Sequence, residues 1–395
     1  MERRERGFFG RLVVFLLMLL AFVGLLAMAL SILSPYIPPK RFVWAAYFGL
    51  AFWEIFAFNV VVFVLLLLMW SRKVWIAVLA LAFSVPGVYK SYAFGSKTEA
   101  SDSIKVMSYN VHMFGHVNKD LGVEEFYNQL VNMVREQSPD ILCCQEFRVK
   151  RLGLRHPQVI KKLSESLDMP YVYYNRNTNY EGNVIFSKFP IAKVSEDSGF
   201  GRESTYGVMV SVDAGERGKF HLASVHLASY KITDSEIDML VNTSELRNNL
   251  DTIGHSVVRK MNYAYQYRSV QIDTMLQGMP PVEGPVIVCG DFNDTPVSFV
   301  CHKMRKAGFS DTFVKAGRGI KPTYAGKLPL LRIDYIWAND QVTPCHFKRI
   351  RQKISDHYPV MLEFTLDKSA SQPAQRPVGN TIISNENQSN NLEVI

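Results

Sequence analysis

Hydrophobic and polar positions divide the chain near residue 90. Upstream, apolar residues run almost unbroken; downstream they come in short stretches spaced by Gly, Asn and Asp. Leu12–Leu33 carries no charge and is long enough to cross a hydrocarbon core about 30 Å thick. Val43–Trp70 is a second run, interrupted only by Glu54 and Asn59, and Val74–Tyr89 is a third, shorter and containing Pro86. The basic start Arg3-Arg4-Glu5-Arg6 and the triplet Ala27-Met28-Ala29 also fit a cleaved signal peptide. Even then the second run would anchor the protein. Residues 1–90 therefore read as a transmembrane anchor of two or three helices. Glu54, an acid inside a span, is assigned no role.

Beyond a polar, small-residue linker at 91–102, the period changes. Ile104–Tyr109, Ile141–Cys144, Asn183–Phe186, Gly207–Val212, His221–His226, Val286–Cys289, Asp334–Ile336 and Val360–Phe364 have the apolar, β-branched character of strands. Val123–Glu136 and Gln158–Leu167 place apolar residues at helical spacing. Mixed strands and helices with hairpin-like pairs predict an α/β layered sandwich rather than a purely parallel sheet. Ser229–Gly284 is a polar, helix-prone insertion, and 367–395, rich in Ser, Asn, Gln and Pro, reads as a disordered tail. The folded domain is thus 103–366.

Charge sharpens the anchor more than the substrate. The net charge is +8, yet residues 1–90 hold nine basic against three acidic residues, which leaves +2 for the remainder. The basic excess flanks apolar runs, so it speaks of topology rather than of a nucleic-acid partner. Arg3, Arg4, Arg6 and Arg11 favour a cytoplasmic N-terminus, and Arg72 and Lys73 a short cytoplasmic loop; Lys40 and Arg41 count against this. Three spans would carry the large domain across the membrane, into the periplasm if the membrane is a bacterial inner membrane. Two spans would reverse it. The five cysteines show neither metal-ligand spacing nor a disulfide framework.

The chemistry is concentrated at strand ends, where a rigid sheet can bring side chains to one surface. Lys105-Val-Met-Ser-Tyr-Asn110-Val-His112 ends a strand in an amide, and Ile141-Leu-Cys-Cys-Gln145-Glu146 ends one in an amide and a carboxylate. Ala223-Ser-Val-His226-Leu and Val286-Ile-Val-Cys-Gly290-Asp291-Phe-Asn293 follow. The last points are Arg332-Ile-Asp334-Tyr-Ile and Ser355-Asp356-His357-Tyr-Pro359. In this order the set resembles the DNase I-like endonuclease/exonuclease/phosphatase superfamily over about two-thirds of the chain. Glu181-Gly182-Asn183-Val-Ile-Phe-Ser187-Lys-Phe-Pro190 adds to the resemblance.

That resemblance implies a four-layer α/β/β/α sandwich of two mixed sheets, with 103–366 as the catalytic domain and a membrane-anchored bacterial setting. It implies a hydrolase of phosphoric esters that depends on Mg²⁺ or Mn²⁺. Such hydrolysis needs an activated water, neutralised phosphoryl oxygens and help for the leaving oxygen. Glu146 is the expected metal carboxylate, with Asn110 and Asp356 completing or orienting the metal's shell. Asp291 is expected to serve as base or water-positioning group, and Asn293, two residues on in an extended segment, to face the same way and hold a phosphate oxygen. His357 would contact the phosphate, with Asp334 orienting it and favouring its charged form. By analogy with the family, His226 contacts the phosphate or protonates the leaving group. His112 is left as a peripheral group.

The substrate is a phosphate ester, lipid or nucleic acid. The membrane tether favours a phosphodiesterase acting on lipid or lipid-linked head groups. The alternatives are a metal-dependent nuclease and a non-catalytic membrane-bound binding module. The insertion residues Arg259, Lys260, Tyr263, Tyr265, Tyr267 and Arg268 could stack on bases, lie on a membrane, or form an ordinary amphipathic helix. No protein partner is inferable.

Overall fold

The uncharged first run folds as a single 26-residue helix, α1 (Phe8–Leu33). The computed structural model describes residues 7–115, 123–148, 156–174, 182–194, 207–241, 243–280, 282–326 and 330–367. The tail read as disordered lies outside the described residues from 368 onward. Two units divide the chain: Met1–Tyr92 with Asp294–His302, and Ala93–Asn293 with Lys303–Ile395.

In the first unit the second apolar run is not one straight helix. It forms α2 (Trp44–Leu50) and α3 (Phe52–Leu68), bent by 64° at the break, and α4 (Val74–Ser91) follows. The break accounts for Glu54, which lies in the first turn of α3, where unpaired backbone N–H groups favour an acid. Asn59 is wholly buried and donates from Nδ2 to Gly24 O (3.1 Å) and Ile55 O (2.9 Å), tying α3 to α1. A side chain at residue 24 would collide with the Asn59 amide. Small-residue approach plus an interhelical hydrogen bond is the usual adhesive between apolar helices. Leu17, Ala21, Val62, Leu66, Ile76 and Ala77 close the centre of this bundle. Asp294–His302 packs in this same unit, with Val297 buried against Met28 and Phe52 and the His302 ring 4.6 Å from that of Tyr36.

The second unit contains two six-stranded mixed sheets. The linker is shorter than the sequence suggests, because β1 (Ala93–Phe94) pairs with β11 (Arg318–Gly319). The first sheet uses β2 (Ile104–Asn110), β3 (Ile141–Gln145), β4 (Tyr171–Tyr174), β5 (Val184–Ser187), β13 (Val342–Arg349) and β14 (Val360–Leu366), in the order β13-β14-β2-β3-β5-β4. The second uses β6 (Ile191–Lys193), β7 (Gly207–Asp213), β8 (Lys219–His226), β9 (Val286–Asp291), β10 (Ser310–Asp311) and β12 (Asp334–Ala338), in the order β10-β12-β9-β8-β7-β6. Among the described residues only β2–β3 and β8–β9 are parallel pairs, and they sit at the centres of their sheets.

Period-two alternation explains the layers. Val106, Ile141 and Cys143 meet Val210, Leu222, Ile287 and Cys289 of the other sheet in one buried cluster. Their neighbours Met107, Leu142 and Cys144 point outward to helix residues Phe126, Leu130, Ile160 and Leu163. The helices Val123–Gln137 and His156–Leu167 bear these contacts, as their apolar spacing predicts. Strands β6 and β13, short or with an exposed face, carry a weak apolar signal; β4, Tyr171–Tyr174, has β-forming residues and is not among the predicted strands.

The insertion is helical, with Asp234–Val241 followed by the 36-residue helix Thr243–Gly278. Its aromatic and basic residues do not act as one surface. Tyr265 and Arg268 are buried, whereas Tyr263 and Tyr267 are exposed and stack on each other at 5.6 Å. Sequence reading grouped them because it lacked the helix's inner boundary.

Candidate active site

Strand register assembles the site. In the second sheet His226 of β8 is opposite Asp291 of β9, and Asp291 is opposite Asp334 of β12. Neighbouring strands lie about 4.8 Å apart, so the three side chains form a row across the sheet. In the first sheet Asn110 of β2 is opposite Gln145 of β3, and Glu146 follows directly. Both central parallel pairs thus present their carboxyl ends to one place, where open α/β sheets commonly hold ligands. Gly290 allows the close approach of β9 to β8: its φ is +138°, and a Cβ there would collide with the Val225 carbonyl.

Glu146 lies just past β3 with a left-handed backbone, φ +50°. Such a conformation costs a non-glycine residue about 1–3 kcal/mol and persists only where surroundings impose it. Here Met113 N donates to Glu146 O (3.0 Å), Phe147 N donates to Gly182 O (3.0 Å), and the Phe147 ring is fully buried. The Glu146 carboxylate is aimed inward. Asn110 Nδ2 donates to Glu146 Oε1 and to Asp291 Oδ2, each at 3.0 Å, so one amide joins the two sheets at the site. His226 Nε2 is 3.3 Å from Glu146 Oε1 and 3.8 Å from Asp291 Oδ2.

Asp291 is 1 % exposed, and burial raises its pKa to about 6, against the lowering influence of His357. Burial would lower the His357 imidazole, but Asp334 and Asp291 more than offset this and hold it well above its ordinary value. His357 Nδ1 is 2.9 Å from Asp334 Oδ2, and its Nε2 is 3.6 Å from Asp291 Oδ2. Asp334 is itself fixed: Thr323 Oγ1 accepts from the backbone N–H of Ile333 and Asp334, and the adjacent Arg332 is paired with Asp311 at 2.7 Å in the interior. In Asp334→Asn the imidazolium loses its nearest charge partner and deprotonates at lower pH. The alkaline limb of the pH–rate profile is expected to move to lower pH, with kcat at pH 7.5 down about tenfold. An unmoved limb in that variant would exclude the assigned pairing.

Asp356 approaches Glu146 through His112. His112 Nδ1 lies 3.1 Å from Asp356 Oδ1 and 3.7 Å from Glu146 Oε2. Burial acts to raise the Asp356 carboxyl, but the His112 hydrogen bond and the charge of His357 bring it down to about 2. Burial likewise opposes ionisation of Glu146, and His226, His112 and the Asn110 amide together hold it below the usual carboxylate range. His112 is therefore part of the site rather than peripheral. The sequence marked it only as peripheral, by its distance of two residues from Asn110, because it sits past the strand end in a left-handed turn, φ +40°.

The eight residues singled out in the sequence converge, with one correction of route. Asn293 does not continue an extended strand: β9 ends at Asp291, and Asn293 has φ +52°. Its N–H donates to Asp291 Oδ1 (2.8 Å) and its Nδ2 to Leu227 O (2.9 Å), an Asx-type turn that replaces strand alternation. Phe292 does face the core, edge-on to Tyr335 at 5.6 Å. Sequence reasoning passed over a polar relay beneath the site. Gln145 Nε2 donates to Ser224 Oγ (3.0 Å) and Ser108 Oγ (3.2 Å), and Ser224 Oγ donates to Asn183 Oδ1 (3.1 Å), all buried between the sheets. It also passed over Tyr324, whose ring lies 5.7 Å from that of His357.

The donor set fits a divalent cation. Glu146, His226 and Asp291 each offer a ligand atom within 4.8 Å of one another, as do Asp291, Asp334 and His357. His226 Nε2 is buried and, although 3.3 Å from Glu146 Oε1, makes no well-aligned hydrogen bond among the described residues. Carboxylate oxygens suit hard divalent ions, and such a charge would also relieve the crowding of three acids.

Fold and site define a phosphoester hydrolase, and a family model supports this independently. The model described as the endonuclease/exonuclease/phosphatase family matches residues 107–357, and the chain belongs to that family. A second model, for a domain of unknown function, matches residues 10–91. The chain is similar to the uncharacterised protein YbhP of Escherichia coli, with 25 % identity over 284 residues, 67 % of this chain and 97 % of YbhP. Among solved structures it is similar to an endonuclease/exonuclease/phosphatase from Beutenbergia cavernae (17 % identity, 67 % of this chain and 72 % of that one, TM-score 0.46). A humanised D. rerio TDP2 is comparable (18 % identity, 67 % and 100 % covered, TM-score 0.45).

Proposed function

We propose that this chain is a membrane-anchored phosphodiesterase that uses Mg²⁺ or Mn²⁺ and acts on lipid or lipid-linked head groups. The observation that carries the reading is the convergence of Glu146, His226, Asp291, Asp334 and His357 from five separate segments. Asp291 takes the proton of the attacking water, and its raised pKa makes it an effective base near neutral pH. Protonated His357 and the remaining N–H of the Asn293 amide hold phosphoryl oxygens. His226 donates a proton to the leaving oxygen. Glu146, with Asn110 and Asp356 completing or orienting the shell, would hold a divalent cation, which would neutralise phosphoryl charge.

One observation supports a lipid substrate. The apolar N-terminal helices can span a membrane. The assay is Mg²⁺-dependent hydrolysis by the full-length protein in detergent, against phospholipids, plasmid DNA, RNA and an aryl phosphodiester. Lipid turnover is expected to dominate. DNA or RNA cleavage far above the lipid panel would replace this reading with a nuclease, and no hydrolysis of any member would leave a binding module.

We place the catalytic domain in the periplasm of a bacterial inner membrane, which requires α2 and α3 to act together as one bent span. A re-entrant α2–α3 would return the chain to the side of its N-terminus. A reporter enzyme fused after Lys97 is expected to be active outside the cytoplasm, and purely cytoplasmic activity would refute the three-span topology.

A further inference from the structure

The two residues that follow His226 leave the β ladder, so their backbone polar groups need other partners. All four find them. Leu227 N donates to Asp291 O (2.9 Å), and Leu227 O accepts from Asn293 Nδ2 (2.9 Å), which ties this residue to the catalytic motif of β9. Ala228 is held from the opposite direction, by the long helix Thr243–Gly278. Its N–H donates to Gln271 Oε1 (2.9 Å), and its carbonyl accepts from Arg268 Nη1 (2.8 Å). Further along the same loop, Lys231 O accepts from Lys260 Nζ (3.2 Å).

Lys260, Arg268 and Gln271 fall on one face of that helix, at i, i+8 and i+11. Arg268 is wholly buried, with its guanidinium 4.4 Å from the Tyr230 ring and 4.9 Å from the Tyr265 ring. Aromatic faces on both residues fix the fork in place, and its bond to the Ala228 carbonyl is charge-assisted, stronger than a neutral donor would supply. Gln271 is also buried. A surface helix does not require a buried cation and a buried amide directed at one peptide unit. The peptide they hold lies two residues from His226 and one from the residue that anchors Asn293.

We propose that Arg268 and Gln271 are positioning residues of the hydrolytic reaction, clamping Ala228 so that His226 and Asn293 keep their places beside Glu146 and Asp291. The inserted helix is thereby a working part of the active site. This rests on the phosphodiesterase reading above.

The clamp is tested at Gln271, because Arg268→Met removes a wholly buried charge and is liable to unfold the domain. Gln271→Met keeps the side-chain volume and removes the acceptor, whereas Gln271→Glu keeps an acceptor. Full-length variants in detergent are assayed with Mg²⁺ and bis(p-nitrophenyl) phosphate. In parallel, amide hydrogen exchange is followed in the peptide containing Ala228, and Tm is recorded. Gln271→Met is expected to speed exchange at Ala228 and to lower kcat about tenfold, with KM within about twofold and little change in Tm. Gln271→Glu is expected to restore both kcat and slow exchange.

Wild-type kcat in Gln271→Met, or equal losses in the two variants that track Tm, would overturn the positioning role. Unchanged exchange at Ala228 in Gln271→Met would overturn the clamp itself, whatever the activity. Absence of hydrolysis by the wild type overturns the phosphodiesterase reading instead, and the exchange measurement then still decides whether the clamp exists.

Discussion

Glu146→Gln is expected to abolish metal-dependent hydrolysis, with a loss on the order of 10³-fold in kcat/KM, while the protein remains folded. The substitution keeps the shape that Met113 and Phe147 enforce around the left-handed backbone, and the Asn110 amide retains an acceptor. What disappears is the negative charge that makes this corner attractive to a divalent cation. Stabilising phosphoryl charge is worth several kcal/mol, and each 1.36 kcal/mol is a factor of ten in rate. Two measurements check this: the rate against Mg²⁺ or Mn²⁺ concentration, and the rise in Tm that the cation produces in the wild type. If the variant keeps wild-type turnover and the same metal-dependent Tm shift, Glu146 is not the metal carboxylate.

Asp291→Asn is expected to lower kcat by about 10²–10⁴-fold with KM little changed, the range typical of losing a positioned base. The fold should tolerate it, since Asn still accepts from the Asn293 N–H and removes a carboxyl whose burial disfavours its charge, although the Asn110 bond to Oδ2 is lost. The pH profile gives a second readout. A base acts when deprotonated, so the wild-type rate should fall as pH drops below about 6, and the residual rate of the variant should lack that acidic limb. A variant with the same acidic limb would show that some other group sets it.

Both predictions concern residues that were legible because of where they stand. Glu146 and Asp291 close apolar runs that have no reason to end in an acid unless the acid is paired or bound. The predicted strands that bear them match β3 and β9 to within two residues. His112 and Tyr324 were not legible in this way. Each lies in a loop whose course depends on contacts more than 20 residues distant, His112 against Asp356 and Tyr324 bridged to His357. Asn293 was singled out for a geometry it does not have, because a strand end and an Asx turn begin with the same residues.

The broken anchor run teaches a similar lesson. Composition identified Val43–Trp70 as apolar and flagged Glu54, but the bend that places Glu54 at a helix N-terminus emerges only in the packed bundle. The inserted helix is the clearest case. From sequence, Arg268 stood among other basic and aromatic residues as a candidate surface group. Its burial against Tyr230 and Tyr265 gives it the opposite character.

By itself, the sequence determined the change near residue 90 from unbroken apolar runs to short alternating ones, and the identity of the polar residues at the strand ends. Those are local properties, set by hydrophobic period and chain length. Tertiary structure decided which of those ends face one another, through the registers His226–Asp291–Asp334 and Asn110–Gln145. It also decided that the charge of Arg268 is drawn inside. Pairing across distant segments depends on long-range packing, which no window of the chain contains.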